Sequence, residues 1–168
     1  MHTTMSQEDL FSLPINPKIS PDDIEDKVIP FLNKHKHLIY DLYFTTRMPP
    51  FMQDAMGDVF RGVNDSKQAV KNAFYIRDKT DLPLSATFNN IWVRPDQKNL
   101  EEFITNFKFL YDNGVRIATI PHTSWVMTGQ IQKEYPELYI KNTILREVSK
   151  PNEIVSLASA GFNYINLD

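Results

Sequence analysis

Short apolar runs of strand length alternate with helix-patterned segments along most of the chain, and this alternation limits the fold more than any other feature. LIYDLYF (38–44), LPLSATF (82–88), VRIATI (115–120), LYIKNTIL (138–145) and GFNYINLD (161–168) carry the aromatic and aliphatic residues of buried strands. Between them, Ala69, Val70, Ala73 and Phe74 mark one helical face. The clearest helix runs from about Asn99 to Asn113. There Leu100, Phe103, Ile104, Phe107, Leu110 and Tyr111 recur at helical spacing, and Gly114 is placed to end it. A weaker helix is expected from Met127 to about Tyr135, and another from Pro151 to Ala160, closed by Gly161. Strands that alternate with helices imply a parallel sheet with the helices packed against it.

Ahead of these units, residues 1–19 read as a polar, extended lead-in. Ser20-Pro21-Asp22-Asp23 then starts a helix: a serine cap, proline in the first turn and acids at the positive dipole end. Ile24, Val28, Phe31 and Leu32 share a face of it, and Pro30 is expected to kink or shorten it. Residues 20–168 form one α/β domain. The strand starts recur at a spacing close to the ~30 residues per unit of a (β/α)₈ barrel. A doubly wound open sheet is the competing arrangement, and it often carries a glycine-rich phosphate loop after its first strand. Phe44 is followed instead by Thr45-Thr46-Arg47-Met48-Pro49-Pro50, without glycine. A full barrel needs eight strands and ~250 residues. About five strands therefore describe an incomplete TIM-barrel-like domain preceded by an N-terminal helix. It would be completed by self-association or by a second chain.

Composition removes several classes of function. With no cysteine among 168 residues, the chain has no disulfide, no thiolate nucleophile and no thiolates of its own for an iron–sulfur cluster. No cofactor is expected on it. A net charge of −3 with evenly spread basic residues gives no nucleic-acid surface. No apolar stretch approaches the ~20 residues of a membrane helix, and MHTTMSQEDLFSL lacks the pattern of a signal peptide. The expectation is a soluble cytoplasmic protein. Phosphate-loop, dinucleotide-binding, HExxH and GxSxG patterns are all absent.

From about residue 38 the segments LPLSATFNN, NGVRIATIPH, PELYIKNTI and GFNYINLD resemble, in order and wording, the collagenase-like peptidase family. Its better-understood members take part in oxygen-independent hydroxylation of ubiquinone precursors and of RNA bases. The resemblance implies a barrel and places ligand contacts at Asn89, His122 and Asn142. The chain lacks the later half in which cluster-binding members carry their cysteines. The arginine–acid pair that follows the fifth strand in the family is cut at Asp168, and the loop RMPPFMQDAMGDVF has no match there.

In a barrel, reactive groups stand at the C-terminal ends of strands. Those positions hold Arg47, then Asn89 and Asn90, then His122, then Asn142 and Thr143, and finally Asp168. His122 suits acid–base work near neutrality, or its ring bonds a carbonyl of its own loop. Asp168 is a candidate general base or a frayed terminal residue. Arg47 suits a carboxylate or phosphate, or forms a surface ion pair. Asn89, Asn90, Asn142 and Thr143 are the remaining candidates for holding substrate, although asparagines also close turns on themselves. Asp54 and Asp58 would share a helical face, but acids at that spacing are common on solvated helices and no metal site is assigned. Met48, Phe51, Met52, Met56 and Phe60 read as a lid or partner surface. Two functions follow: an enzyme portion that binds a small or nucleotide-like substrate, or a non-catalytic module completed by a partner.

Overall fold

Four of the five apolar runs become strands where the sequence places them, and the remaining strand comes from the lead-in. The computed structural model describes residues 10–15, 19–53 and 63–167. Its strands are β1 (Phe11–Pro14), β2 (Ile39–Thr45), β3 (Leu84–Thr87), β4 (Ile117–Ile120) and β5 (Tyr139–Asn142). They form one sheet in the order β1-β2-β3-β4-β5, and every neighbouring pair is parallel. Strands in sequence order, joined by right-handed crossovers, place every helix on one face of the sheet. This is the winding of a barrel and not of a doubly wound sheet, as the sequence implies.

Pro21 to Leu38 is one continuous helical stretch. α1 (Pro21–Asp23) passes through a π turn (Ile24–Val28) into α2 (Ile29–His35) and a closing 3-10 turn (Lys36–Leu38). The Ser20 hydroxyl accepts from Asp23 N at 3.1 Å, as a cap should. Pro30 does not end the helix, because the wide π turn immediately before it accommodates a residue that cannot donate a backbone bond. This helical stretch is the crossover that lets β1 lie parallel to β2, so residues 11–14 belong to the sheet although the sequence reads residues 1–19 only as extended.

α3 (Val63–Thr80), α4 (Gln97–Asp112) and α7 (Pro151–Ala160) are the longer layer helices. The Asp96 carboxylate caps α4 through Asn99 N at 2.9 Å, and Gly114 at φ +88° supplies the left-handed exit. The helix expected over 127–135 is instead two short ones, α5 (Thr123–Met127) and α6 (Gln130–Glu134), parted by Gly129 at φ +70°. Phe88 from the end of β3 meets Phe103 and Phe107 of α4, with ring centroids 5.3 and 6.1 Å away, at the centre of the core.

GFNYINLD does not form the expected fifth strand. Only Tyr164 bridges to Lys141 of β5, in parallel. Backbone bonds run from Asn163 N and Tyr164 N to Ile140 O and from Asn142 N to Tyr164 O, and side-chain amides supply the next partners on either side. Asn163 Oδ1 takes Ile140 N at 2.8 Å, and Asn142 Oδ1 takes Asn166 N at 2.6 Å. The segment therefore occupies the position of a sixth strand without a regular ladder.

The two faces of the sheet differ in chemistry. Leu42, Phe44, Leu84, Ala86, Ala118, Ile120 and Ile140 join the core under the helices. The opposite face carries two register rows, Tyr43–Ser85–Ile117–Tyr139 and Thr45–Thr87–Thr119–Lys141. Strands lie about 4.8 Å apart, so β2 and β5 are separated by ~14 Å measured along the sheet. Even so, Lys141 Nζ reaches Asp41 Oδ2 at 2.5 Å. Tyr40 and Tyr164, four strand positions apart or ~19 Å along the sheet, bring their rings within 5.4 Å. Side chains span these distances only if the sheet curls with its polar face inside. The register supplies the inward pair on β2: Phe11 pairs with Ile39 and Ser12 with Asp41, so Tyr40 is an extra residue opposite that step. Such a bulge turns Tyr40 and Asp41 together towards the concave side. The sheet is curled and not closed. Among the described residues no helix is long and apolar enough to cross a membrane.

Candidate functional site

The C-terminal ends of β2, β3 and β5 bring four of the expected residues to one end of the sheet. Arg47 follows β2 by two residues, and its backbone N–H is held at 2.7 Å by the Ser66 hydroxyl of α3. Ser66 also bonds Thr46 Oγ1 at 2.9 Å, so the first turn of α3 fixes the loop. Asn89 follows β3 and accepts from Thr143 Oγ1 at 3.1 Å, a bond that joins β3 to β5 past the end of β4. Thr143 is fully buried, and its hydroxyl also takes Leu145 N at 3.2 Å to start a 3-10 turn. Asn90 donates to Gln53 O at 3.1 Å and accepts Trp92 N at 2.9 Å, the turn geometry that asparagine favours. Arg47, Asn90, Gln53, Pro50 and Met52 line a recess of about 230 Å³. A guanidinium beside two carboxamides can hold a small anion and orient its polar substituents.

His122 stands at the end of β4 as expected, but it is 8 % exposed and its ring is packed among aromatics. Trp125 lies 4.8 Å away edge-on and Phe51 stacks at 6.3 Å. Its carbonyl accepts Trp125 N at 3.1 Å at the start of α5. Phe51 borders the cleft beside Arg47 and Asn89, so His122 meets that cleft through Phe51. Met48 and Phe51 are buried, and the Phe51 ring lies 5.2 Å from Phe88 and 5.7 Å from Trp125. Their segment therefore plugs the top of the core, and only Met52 of the described lid residues is exposed.

Asn142 is engaged elsewhere. Its Nδ2 donates to Asn166 O at 3.2 Å, its Oδ1 takes Asn166 N, and its own carbonyl takes Asn166 Nδ2. That carboxamide anchors the segment after α7 to β5. Asp168, Asp54, Asp58, Met56 and Phe60 lie outside the described residues. Among the described residues no group of three or more His, Asp or Glu side chains could hold a metal ion.

The concave face holds a cluster that the strand-end reasoning did not single out: Asp41, Lys141, Tyr40 and Tyr164. Asp41 is fully buried and Lys141 is 8 % exposed. The Lys141 ammonium lies 5.1 Å from the Tyr40 ring and 5.9 Å from that of Tyr164. Burial, then a hydrogen bond with the Tyr164 phenol, raises the Tyr40 pKa above the usual tyrosine value, and the Asp41 carboxylate adds to it. Tyr40 therefore stays a neutral phenol. A charge in the middle of each of two apolar runs, LIYDLYF and LYIKNTIL, is the sequence signal that marks this pair.

No family model and no curated protein sequence matches the chain. Among solved structures the fold is similar to a crystal structure described as a "putative phosphonomutase" from Burkholderia cenocepacia J2315, with a TM-score of 0.60 at 12% identity. The match covers 93% of this chain and 62% of that one. It gives no support to the narrower collagenase-like peptidase resemblance. What it shows is the fold: an α/β domain with a five-stranded parallel sheet and alternating helices, similar to a TIM barrel and not closed.

Proposed function

We propose that the chain is the portion of a TIM-barrel-type enzyme that binds a small anionic substrate at the C-terminal ends of its strands. The observation that supports this best is the gathering of Arg47, Asn89, Asn90 and Thr143 at the ends of β2, β3 and β5, beside a recess of about 230 Å³. In barrels this end of the sheet carries the chemistry. Arg47 would hold a phosphate or carboxylate, Asn90 would orient the group beside it, and Asn89 is set in place by Thr143. His122 is the acid–base candidate behind Phe51. Nucleotide-like substrates remain within this class, and adenosine 5′-monophosphate is the probe of choice. Titrated into labelled protein, it should shift the amide signals of Arg47, Gln53 and Asn90. Arg47→Gln should weaken that response at least tenfold with unfolding unchanged. If the signals at these strand ends stay still at millimolar nucleotide and millimolar phosphate, this reading is wrong.

A second reading is favoured by one observation. The outer edge of β1 has no partner strand among the described residues, and Leu10 and Phe11 beside it are more than half exposed. An uncovered edge of this kind invites pairing with another chain. The module would then act by assembly, completed by a second copy or a partner.

A further inference from the structure

A separate groove lies on the outer, helical side of the sheet, between α3 and α4. Phe74 of α3 and Phe109 of α4 form its floor, with ring centroids 6.1 Å apart, and Val70 and Met52 extend the apolar wall. Its volume is about 590 Å³. Lys67 and Lys71 stand one turn apart on α3 along the rim. Neither forms an ion pair with a described residue, and no acidic side chain is among the described residues that line the groove. Phe109 is 60 % exposed and Met52 43 %. Apolar side chains have thus been left open to solvent beside two lysines, and Arg47 also lines the groove.

Size decides between kinds of occupant. Ligand pockets run ~300–1,000 Å³, lined mainly by apolar and aromatic residues with a few placed polar groups. A stable protein interface needs roughly 20–30 residues a side. The groove has thirteen described lining residues, too few for a docked domain and ample for a small molecule. Charge selects the chemistry: an apolar tail along Val70, Phe74 and Phe109, with an anionic head at Lys67 and Lys71.

We propose that this groove binds a small amphiphile with one alkyl chain and one carboxylate head, of the medium-chain fatty-acid class. The groove meets the strand-end recess at Arg47 and Met52, which line both, and its probe is read on α3 and α4 instead. Dodecanoate, titrated below its micelle concentration and followed by calorimetry and amide shifts, should bind one per chain and move the signals of Val70, Phe74 and Phe109. Phe109→Ser should weaken binding at least fivefold without loss of fold, since the ring is already largely exposed. Lys67→Gln with Lys71→Gln should weaken dodecanoate but leave dodecanol unchanged. Any of three results would overturn the proposal: no saturable binding, binding indifferent to these variants, or a concentration-dependent dimer that buries Phe109 in the absence of dodecanoate. None of the three decides nucleotide binding in the recess, which is read separately at Gln53 and Asn90.

Discussion

Lys141 and Asp41 show how much one residue pair can depend on the curvature of a whole sheet. Each is a charge on a strand otherwise made of apolar and aromatic side chains, and the pair is almost withdrawn from water, with side chains 10% and 0% exposed. A buried ion pair is weak evidence for stability in itself, but removing one partner strands the other charge and costs ~3–5 kcal/mol. Lys141→Met should therefore lower the unfolding free energy by about that amount in urea titrations at neutral pH. The double variant Asp41→Leu with Lys141→Met should recover most of the loss, because no charge is then left buried. A single-variant cost below ~1 kcal/mol would mean that water reaches the pair and the curl is looser than described. At this scale the sequence is only partly readable. The strand-end positions of Arg47, Asn89, His122 and Thr143 follow from knowing where strands stop. That Asn142 is taken up by Asn166, and that Asp41 meets Lys141, depends on which residues share a face after the sheet curls and after Tyr40 bulges. A lone charge in each of two apolar runs marks Asp41 and Lys141, but no local pattern says that they meet.

Elements were legible in proportion to their periodicity. α4 has four buried apolar residues at helical spacing, a capping aspartate and a terminating glycine, and the sequence places it to within two residues. β1 has four residues, too few to show alternation, and it exists as a strand only because α1 and α2 return the chain beside it. The C-terminal run failed for a different reason: its asparagine side chains compete for the ladder's own donors and acceptors. α6 is short and is held through its end residue. Tyr135, its C-cap, is 2 % exposed and donates its hydroxyl to Ile104 O of α4. Burial, with smaller contributions from Glu134 and Asp112, raises the Tyr135 pKa to about 12. A phenol whose folded pKa is raised stabilises the fold fully below the unfolded value of ~10, and that contribution is lost as pH rises through the folded value. Stability should therefore fall between pH ~10 and about 12. Tyr40, raised in the same direction, shares that slope. Tyr135→Phe should lower stability at pH 8 by ~1 kcal/mol, the worth of one hydrogen bond, and should flatten the alkaline slope without abolishing it. Urea titrations across that range measure both effects, and an unchanged slope would place the Tyr135 hydroxyl in water.

For the molecule as a whole, a curled, unclosed sheet has two ends against which another segment or chain can lie. A closed barrel has no edges, whereas here, among the described residues, one side of β1 has no partner strand and Tyr164 makes a single bridge at the far end. The similar solved structure is longer, and 62% of it is covered by this chain. The rows inside the curl are mixed: Ser85, Ile117, Thr119 and Lys141 are buried, whereas Tyr43, Thr45, Thr87 and Tyr139 keep contact with water, which such side chains tolerate better than the packed aliphatic layers of a full barrel would. The edge of β1 is less easily tolerated, since natural sheets blunt such edges with charge, proline or a covering segment. Pro14 does this at one end of β1, and Phe11, 56 % exposed, does the opposite at the other. If a second copy pairs at that edge, light scattering of the 168-residue chain at micromolar concentration should give a discrete dimer. Phe11→Lys should shift it to monomer while circular dichroism and the urea midpoint stay nearly unchanged, since an exposed side chain contributes little to the fold itself. A monomer at all concentrations, folding cooperatively and binding adenosine 5′-monophosphate, would remove the assembly reading and leave the strand-end site acting on an open half-barrel. A dimer indifferent to Phe11→Lys would move the contact to the other end of the sheet, where Tyr164, Tyr139 and the Lys141 cluster meet.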